Sequence, residues 1–318
     1  MVDTSALIAA AEIGLADHLA DGPRSPADLA PALGVDERAL ARLLDILTAS
    51  ETVASDGAGR YALTPSGEFL RSDVPGSQRG FLRTLNLWAG TAVVGGARTI
   101  RTGEPSVESV FGLPAWTYLA KNPELGSVFN AAMVGFAGFV GTPCLDVYDF
   151  TPVQHLVDVG GGLGQLAREV AGRNPHLNAT IFDQPQVVAE AEAAILADGL
   201  ADRCRAAGGD FFTAVPSGDC YTLRWIIHDW NDAESLAILR ACRAAIAPGG
   251  RLLLFEVVLP TTDGPHLART LDWIMLTCIT GKERTEAEYS ALLAGAGFRL
   301  ERVIPSASPM SILEAFPV

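Results

Sequence analysis

Residues 155–166 read HLVDVGGGLGQL, and this segment constrains the fold more than any other part of the chain. A run of apolar residues contains Asp158 near its end, four glycines follow within five residues, and a helical pattern begins near Leu163. Glycines at such a position let the backbone turn tightly and approach a ligand at a helix N-terminus. The segment therefore predicts a buried strand, a ligand-binding turn and a helix, which together open an α/β sheet.

The spacing of these glycines separates two classes of cofactor. A dinucleotide-binding turn has the pattern G-x-G-x-x-G, which from Gly160 and Gly162 would require glycine at position 165, where the chain has Gln165. The observed G-x-G-x-G, preceded by Asp158, is typical of proteins that bind S-adenosylmethionine. We therefore expect Asp158, Gly160 and Gly162 to contact that cofactor, and the spacing disfavours a nicotinamide cofactor.

Two further acidic residues follow predicted strands. Asp183 ends the second strand, 19 residues beyond Gly164, and Asp210 ends the third within the sequence GGDFF. The carboxyl ends of parallel strands form the ligand-binding edge of an open α/β sheet. Asp183 is predicted to accept hydrogen bonds from ribose hydroxyls, and Asp210 from the adenine amino group, with Phe211 packing on the ring. The alternative for each acid is a capping role, but three at successive strand ends favour the cofactor.

Strand-like and helix-like segments alternate from residue 155 onward, which indicates a doubly wound, Rossmann-like parallel sheet with helices on both faces. Before it, helices over residues 5–20, 26–33 and 36–49 precede two short strands around Asp56-Gly57, the order typical of a winged helix. We expect three regions, with boundaries at 1–85, 86–150 and 151–318.

A winged helix often binds DNA, but the charge argues against that function. Residues 1–85 contain seven basic against twelve acidic side chains, and the whole chain has a formal net charge of −14. A DNA reader needs a basic footprint, and a polyanion is a poor partner for nucleic acid or an anionic membrane. The winged helix is therefore expected to bind protein.

Other features predict a cytoplasmic protein without a structural metal or disulfides. No stretch approaches the roughly 18 apolar residues of a membrane span, and the N-terminus has Asp3 and Glu12 but no early Lys or Arg, unlike a signal peptide. The five cysteines include no C-x-x-C pair and are expected to be free thiols. The five histidines are scattered, which disfavours a zinc site.

Several motifs in order along the chain resemble a known family. They are LVDVGGGLG, FDQP, GGDFF, LRWIIHDWND, PGGRLLLFEVVLP and GKERTEAEYSALLAGAGF. Together they resemble the class I O-methyltransferases of the plant caffeate and isoflavone type, whose bacterial relatives act on aromatic polyketides and hydroxyindole-like phenols. The resemblance extends from about residue 8 to 317. It implies a winged-helix dimerisation domain at 1–85, a helical linker contributing to the acceptor pocket at 86–150, and a catalytic domain at 151–318.

The resemblance also implies roles for individual residues. His228 matches the catalytic base of the family, and Glu256 and Glu283 match two acids that flank it. The implied cofactor contacts are Gly160, Asp183, Asp210, Phe211 and Arg224, the last at a position that is usually Lys in plant members. The implied acceptor contacts are Met133, Asp272 and Met275. Trp116 and Phe129 are further expected to wall the pocket, and the alternative for each of these two aromatic residues is a place in the core. A homodimer through residues 1–140 is expected. Family members usually carry another helix before the segment AAAEIGLADHL, which helps to interlock the dimer, and the chain begins almost at that segment, so a weaker dimer is the alternative.

The expected reaction is methyl transfer from S-adenosylmethionine to a phenolic hydroxyl of an aromatic secondary metabolite, by in-line displacement. A neutral imidazole, with a reference pKa near 6.5, would take the hydroxyl proton, and no metal is required. One alternative is a relative that keeps the cofactor but acts as a hydroxylase or decarboxylase. A second is a non-enzymatic regulator built on the winged helix. Detection of a methylated product separates these readings, and the acceptor itself is not identified by the sequence.

Overall fold

The computed structural model describes residues 2–74 and 76–318, and the side chains of 134–139 lie outside that description. The chain forms two compact units. The first contains Met1–Gly90 and Trp116–Phe136, and the second contains Thr91–Ala115 and Ala137–Val318.

Helices account for much of both units. In chain order they are α1 (Val2–Ile13), α2 (Pro26–Leu33), α3 (Glu37–Ala49), α4 (Arg79–Leu85), α5 (Thr91–Thr102), α6 (Val107–Phe111), α7 (Ala115–Lys121), α8 (Pro123–Leu145), α9 (Gln165–Arg173), α10 (Pro185–Ala197), α11 (Asp232–Ala245), α12 (Leu267–Cys278) and α13 (Glu286–Gly295). Short 3₁₀ turns occur at Asp17–Leu19, Gly67–Leu70 and Ile227–Asp229, and Asn86–Gly90 forms a π-helical turn.

The strands form two sheets. They are β1 (Val53–Ser55), β2 (Tyr61–Leu63), β3 (His155–Val159), β4 (Asn178–Asp183), β5 (Cys204–Gly208), β6 (Gly218–Arg224), β7 (Ile246–Glu256), β8 (Phe298–Pro305) and β9 (Ser311–Pro317).

The first unit begins as the predicted winged helix, in which α1, α2 and α3 precede the antiparallel pair β1–β2. The α2 helix starts in a capping box formed by Ser25 and Asp28, with proline at its first turn. The expected helix over residues 5–20 is wrong at its C-terminal end. Helix α1 ends at Ile13 because Gly14 has φ +70°, and the chain resumes as a separate 3₁₀ turn.

The second unit is built on a seven-stranded sheet of order β5-β4-β3-β6-β7-β9-β8. Neighbouring strands from β5 to β7 are parallel, whereas β9 runs antiparallel to both β7 and β8. The last two strands depart from the expected parallel pattern because only residues 306–310 join them, too few for a crossover helix. Strand order reverses between β3 and β6, which is where open α/β sheets bind ligands.

The core of the second unit lies where this sheet meets its helices. Its largest buried side chains include Tyr221, Phe255, Tyr289 and Phe298. All five cysteines are buried free thiols, as expected from their spacing. Within the described residues, no helix combines the length and apolarity needed to span a membrane.

Candidate active site

The glycine turn joins β3 to α9 at the point where the strand order reverses. Gly160 has φ +68°, and a Cβ atom there would lie 2.4 Å from Cδ1 of Ile226, so the position has room for no side chain. Gly162 has φ +57°, and the space beside its Cα is open. The left-handed backbone at Gly162 has no side chain above it, so a ligand can approach it closely.

Asp158 lies beneath this turn and has one unpaired oxygen. Its Oδ1 accepts a hydrogen bond from Thr222 at 2.8 Å, whereas Oδ2 is buried and has no hydrogen-bond partner. Burial raises the pKa of Asp158 to about 6, and the positive charge of Arg224 at the end of β6 opposes that shift. Arg224 is itself surrounded by Asp158, Glu169 and Cys144, and its burial lowers the pKa of its guanidinium.

Asp183 closes the turn from the neighbouring strand. Its Oδ2 accepts the backbone N–H of Gly162 at 2.7 Å, and its Oδ1 accepts the N–H of Gln184 at 2.7 Å. Burial raises the pKa of Asp183, and these two hydrogen bonds oppose the rise because they favour the ionised carboxylate. The side chain therefore supports the shape of the glycine turn.

Asp210 is exposed and caps its own turn. Its Oδ1 accepts the N–H of Phe212 at 2.9 Å, and its Oδ2 accepts the hydroxyl of Thr213 at 3.2 Å. The half-buried ring of Phe211 packs against Phe212 and Trp230, with centroids 4.9 and 6.0 Å away. Asp210 therefore has the capping role that was the alternative to cofactor binding. Lone pairs on both of its oxygens remain for a ligand.

His228 is buried in the 3₁₀ turn that follows β6, with 7% of its surface exposed. Its Nδ1 lies 2.8 Å from Oε1 of Glu283, and its Nε2 lies 3.3 Å from Oδ1 of Asp229. Each ring nitrogen therefore faces a carboxylate. A carboxylate bonded to one nitrogen fixes the tautomer of a histidine and stabilises its imidazolium form.

Glu256 acts on the backbone of the same turn. Its Oε1 accepts the N–H of Ile227 at 3.0 Å, and its Oε2 is buried without a hydrogen-bond partner. Of the two acids expected to flank His228, only Glu283 makes a hydrogen bond to the imidazole within the described chain. Glu256, which ends β7, supports the turn that carries the histidine.

These groups perturb one another because they share a buried site. Burial lowers the pKa of His228, but the charges of Glu283 and Asp229 outweigh it and raise the pKa to about 10. Burial raises the pKa of Glu256 to about 8 and that of Asp229 to about 6, and the positive charge of His228 opposes both shifts. A cluster of strongly shifted groups at a sheet edge is typical of a functional site.

Two residues that the sequence motifs contained, but to which we assigned no role, position the same turn. The buried guanidinium of Arg284 donates to the carbonyls of Ile227 and Trp230 at 2.9 Å and to Asp232 at 2.8 Å. A Cβ atom at Gly281 would lie 2.0 Å from the carbonyl oxygen of His228, so only glycine fits there. In the sequence, the position of these two residues beside Glu283 in the motif GKERT could have indicated this role.

The residues expected to contact the acceptor are divided between the units. In the first unit, Trp116 and Phe129 form a three-ring cluster with Trp88, with centroids 5.7 to 5.9 Å apart, and Met133 is half-buried in α8. In the second unit, α12 carries Asp272 and the buried Met275, and the Asp272 carboxylate accepts the backbone N–H of Glu283 at 2.9 Å.

The edge of the sheet has the features that an adenosyl cofactor requires. The unpaired buried oxygen of Asp158 points at the glycine turn, the space beside Gly162 is open, and carboxylates lie at the end of β4 and just after β5. Backbone amides and carboxylates there can bind the amino-acid and ribose hydroxyl groups of such a molecule. The residues present therefore fit S-adenosylmethionine.

The chain is similar to characterised proteins over nearly its whole length. Residues 97–299 match the O-methyltransferase domain family, and residues 1–73 match the O-methyltransferase dimerisation domain. Phenazine O-methyltransferase PhzM of Lysobacter antibioticus is 37% identical, over 99% of this chain and 93% of its own. Aclacinomycin 10-hydroxylase RdmB of Streptomyces purpurascens is 34% identical, over 94% of this chain and 82% of its own.

A solved structure connects this similarity to the cofactor. The O-methyltransferase NcsB1 from neocarzinostatin biosynthesis was crystallised with S-adenosylmethionine and 2-hydroxy-5-methyl naphthoic acid. It is 34% identical, has a TM-score of 0.87 to this chain, and covers 100% of this chain and 97% of that one. With the matched domains, these findings show that the chain belongs to the family of S-adenosylmethionine-dependent O-methyltransferases.

Proposed function

We propose that the protein methylates a phenolic hydroxyl of an aromatic secondary metabolite, with His228 as the general base. The observation that carries the proposal is the 2.8 Å contact between Nδ1 of His228 and Glu283, which leaves Nε2 as the nitrogen that receives a proton. Positioned general bases typically contribute about 10²–10⁴-fold to a rate.

The bound cofactor supplies an electrophilic methyl group on a sulfonium, and the protein aligns and activates the acceptor. Nε2 of His228 would take the proton of the acceptor hydroxyl as the methyl group passes from sulfur to that oxygen, which leaves S-adenosylhomocysteine. The imidazolium that results is stabilised by Glu283 at Nδ1 and by Asp229, whose carboxylate lies 3.3 Å from Nε2. Glu256 and Arg284 keep the turn in place through backbone hydrogen bonds.

We propose the cofactor-binding and acceptor-binding residues on the same basis. The glycine turn (Gly160, Gly162) with Asp158 and Asp183 would hold the cofactor, and Asp210 and Phe211 would hold its adenine. Arg224 would act by its charge beside Asp158. Met133, Trp116, Phe129, Asp272 and Met275 would line the acceptor pocket. The functional regions proposed are dimerisation at 1–85, the helical linker at 86–150 and catalysis at 151–318.

We propose that catalysis needs no metal. Ligand atoms of His228, Glu256 and Glu283 lie within 4.8 Å of one another, a spacing that a cation could exploit. However, the Glu283 oxygen nearest His228 is engaged with Nδ1, and one Glu256 oxygen accepts a backbone N–H. The raised pKa of Glu256 further weakens it as a ligand, because a protonated carboxyl binds metal poorly.

The aromatic acceptor class is supported by relatives named for such substrates. These include the phenazine enzyme and 3-amino-4-hydroxybenzoate 4-O-methyltransferase of Streptomyces cremeus. The similarity to a 10-hydroxylase favours one competing function, in which the bound cofactor assists hydroxylation or decarboxylation without methyl transfer. A homodimer through the N-terminal region is proposed from the matched dimerisation domain.

The test is incubation with S-adenosylmethionine and a panel of hydroxylated naphthoates, phenazines, aminobenzoates and indoles. The expected result is a product that has gained one methyl group, with one equivalent of S-adenosylhomocysteine. A hydroxylated or decarboxylated product without S-adenosylhomocysteine would support the competing function instead.

A further inference from the structure

Trp225 has an unusual backbone conformation immediately before the turn that carries His228. Its φ is +52°, and it shares positive φ with one other described non-glycine residue, Glu51. Left-handed backbone is uncommon for any residue with a Cβ atom and is an outlier for a bulky aromatic side chain. Such strain persists where the surrounding structure enforces it, and it clusters at functional sites.

The strain has an identifiable structural context. The N–H of Trp225 still donates to the carbonyl of Phe255 at 3.1 Å, which extends the pairing of β6 with β7 by one residue. The chain then leaves the sheet and enters the 3₁₀ turn at Ile227. Glycine or asparagine would adopt this conformation at lower cost, so the turn alone does not account for a tryptophan.

The side chain of Trp225 is what distinguishes this position. Its ring stacks on the imidazole of His228, with centroids 6.2 Å apart and planes inclined by 13°. That distance lies within the range of offset-stacked aromatic pairs. The Glu283 hydrogen bond restrains the imidazole within its own plane, and the indole restrains the tilt of that plane, so the two contacts are complementary.

We propose that Trp225 is a positioning residue for methyl transfer, which fixes the ring plane of His228 and so maintains its alignment with Glu283. The proposal rests on the proposed role of His228 as the base. Glu283, Asp229 and Glu256 are the charged groups against the imidazole, and all three favour the cation. Loss of the alignment between the imidazole and Glu283 would weaken this stabilisation of the cation.

The test uses substitutions that separate the ring from the backbone. Trp225→Phe and Trp225→Leu both place a side chain with a Cβ atom in the left-handed conformation, but only phenylalanine keeps an aromatic ring. Trp225→Asn removes the ring and relieves the backbone strain. Glu51→Asn, which relieves comparable strain at the other positive-φ position, is the matched control for the backbone.

The first readout is nuclear magnetic resonance of ¹⁵N-histidine-labelled protein with S-adenosylhomocysteine, assigned with His228→Ala. In the Leu and Asn variants, the His228 ring protons lose their ring-current shift, and the imidazole pKa falls by about half a unit because the hydrogen bond to Glu283 is less well aligned. Phe restores both, and Glu51→Asn changes neither. A His228 titration and ring-proton shifts that are unchanged in the Leu and Asn variants would overturn the proposal.

The second readout is turnover of 1,4-dihydroxy-2-naphthoic acid, or of the best substrate from the panel. We expect kcat to fall about three- to tenfold in the Leu and Asn variants, the range for losing one aromatic contact. The KM for S-adenosylmethionine stays constant. In a His228→Ala background, Trp225→Asn has no further effect, and independent additive losses would contradict action through His228. Full activity of His228→Ala alone would contradict the proposed role of His228 as the base. The nuclear magnetic resonance measurement would still decide whether Trp225 positions the imidazole.

Discussion

Oε1 of Glu283 lies 2.8 Å from Nδ1 of His228, and the pair is almost completely buried. The two residues come from segments 55 positions apart in the chain, which the close approach of Gly281 to the His228 carbonyl brings together. In the proposed mechanism, this contact leaves Nε2, which lies 3.3 Å from Oδ1 of Asp229, to take the proton. Against the effect of burial, the charge of Glu283 also raises the pKa of the imidazole, so the geometry of His228 and its protonation state have the same origin.

Removal of the imidazole should slow the chemical step selectively. We expect His228→Ala and His228→Gln to lower kcat by about 10²–10⁴-fold, the typical value of general-base assistance. The affinity for S-adenosylhomocysteine, measured by calorimetry, should be nearly unchanged. An acceptor with a more acidic hydroxyl should depend less on His228, because less proton abstraction remains. Full activity of His228→Ala on a weakly acidic phenol would leave alignment as the main contribution.

The pH dependence should be displaced to alkaline values. Only neutral imidazole accepts a proton, and the pKa of His228 is raised to about 10. We therefore expect kcat/KM to rise with pH from neutrality towards about pH 10 for an acceptor that remains protonated. In Glu283→Gln the pKa of His228 should fall, so the rise should occur at lower pH and with a smaller maximum. Exposed Glu286→Gln is the control, and an unchanged profile in Glu283→Gln would contradict this assignment.

Asp183 should contribute to cofactor binding through the shape of the glycine turn as well as by contact. Asp183→Ala leaves the N–H groups of Gly162 and Gln184 without their acceptor. We expect weaker binding of S-adenosylhomocysteine by roughly 1–3 kcal/mol, the range for unpaired buried polar groups. Calorimetry measures this directly. Glu192→Ala, which removes an exposed carboxylate from α10, is the control, and equal affinity in the two variants would remove Asp183 from the cofactor site.

Metal removal should leave activity intact. His228, Glu256 and Glu283 have the donor atoms of a cation site, but their hydrogen bonds already use several of them. We expect dialysis against a strong chelator to change kcat by less than about twofold, since no step needs a Lewis acid. Loss of activity that Mg²⁺ or Zn²⁺ restores would mean that His228, Glu256 and Glu283 form a metal site.

The placement of the glycine turn and of three acids at one edge of the sheet could be predicted because the sequence signals are local. Glycine spacing in 160–164 and the acids at 158, 183 and 210 lie within or directly after strands, where periodicity and backbone conformation constrain their position. The capping contacts of Asp210 were also foreseeable, since aspartate commonly bonds to backbone groups two residues ahead.

Relationships between distant segments could not be predicted in the same way. The different contacts of Glu256 and Glu283 depend on side-chain direction at the end of β7 and in the loop between α12 and α13, which residue type does not encode. The left-handed conformation of Trp225 opposes its intrinsic preference, so propensity predicts the wrong backbone there. The burial of Arg284 could not be predicted, because an arginine in a charged motif ordinarily lies on an exposed surface.

The buried carboxyl of Glu256 should make the stability of the protein depend on pH. Burial raises its pKa in the folded protein to about 8, above its unfolded value of 4.5. A group with a raised folded pKa contributes stability that is fully present below the unfolded pKa and is lost as the pH rises through the folded pKa. The wild-type protein should therefore lose this contribution between about pH 4.5 and 8.

Glu256→Gln provides the comparison, because the amide oxygen can still accept the Ile227 N–H but the side chain cannot ionise. We expect the melting temperature of the variant to rise relative to that of the wild type as the pH increases from 5 to 9. The gain should be about 2–4 °C for each kcal/mol of relieved burial cost. Scanning fluorimetry across this pH range measures it, with exposed Glu301→Gln as the control. A difference between variant and wild type that stays constant with pH would mean that Glu256 ionises at its ordinary pKa, and that Ile227 is bonded to a carboxylate throughout.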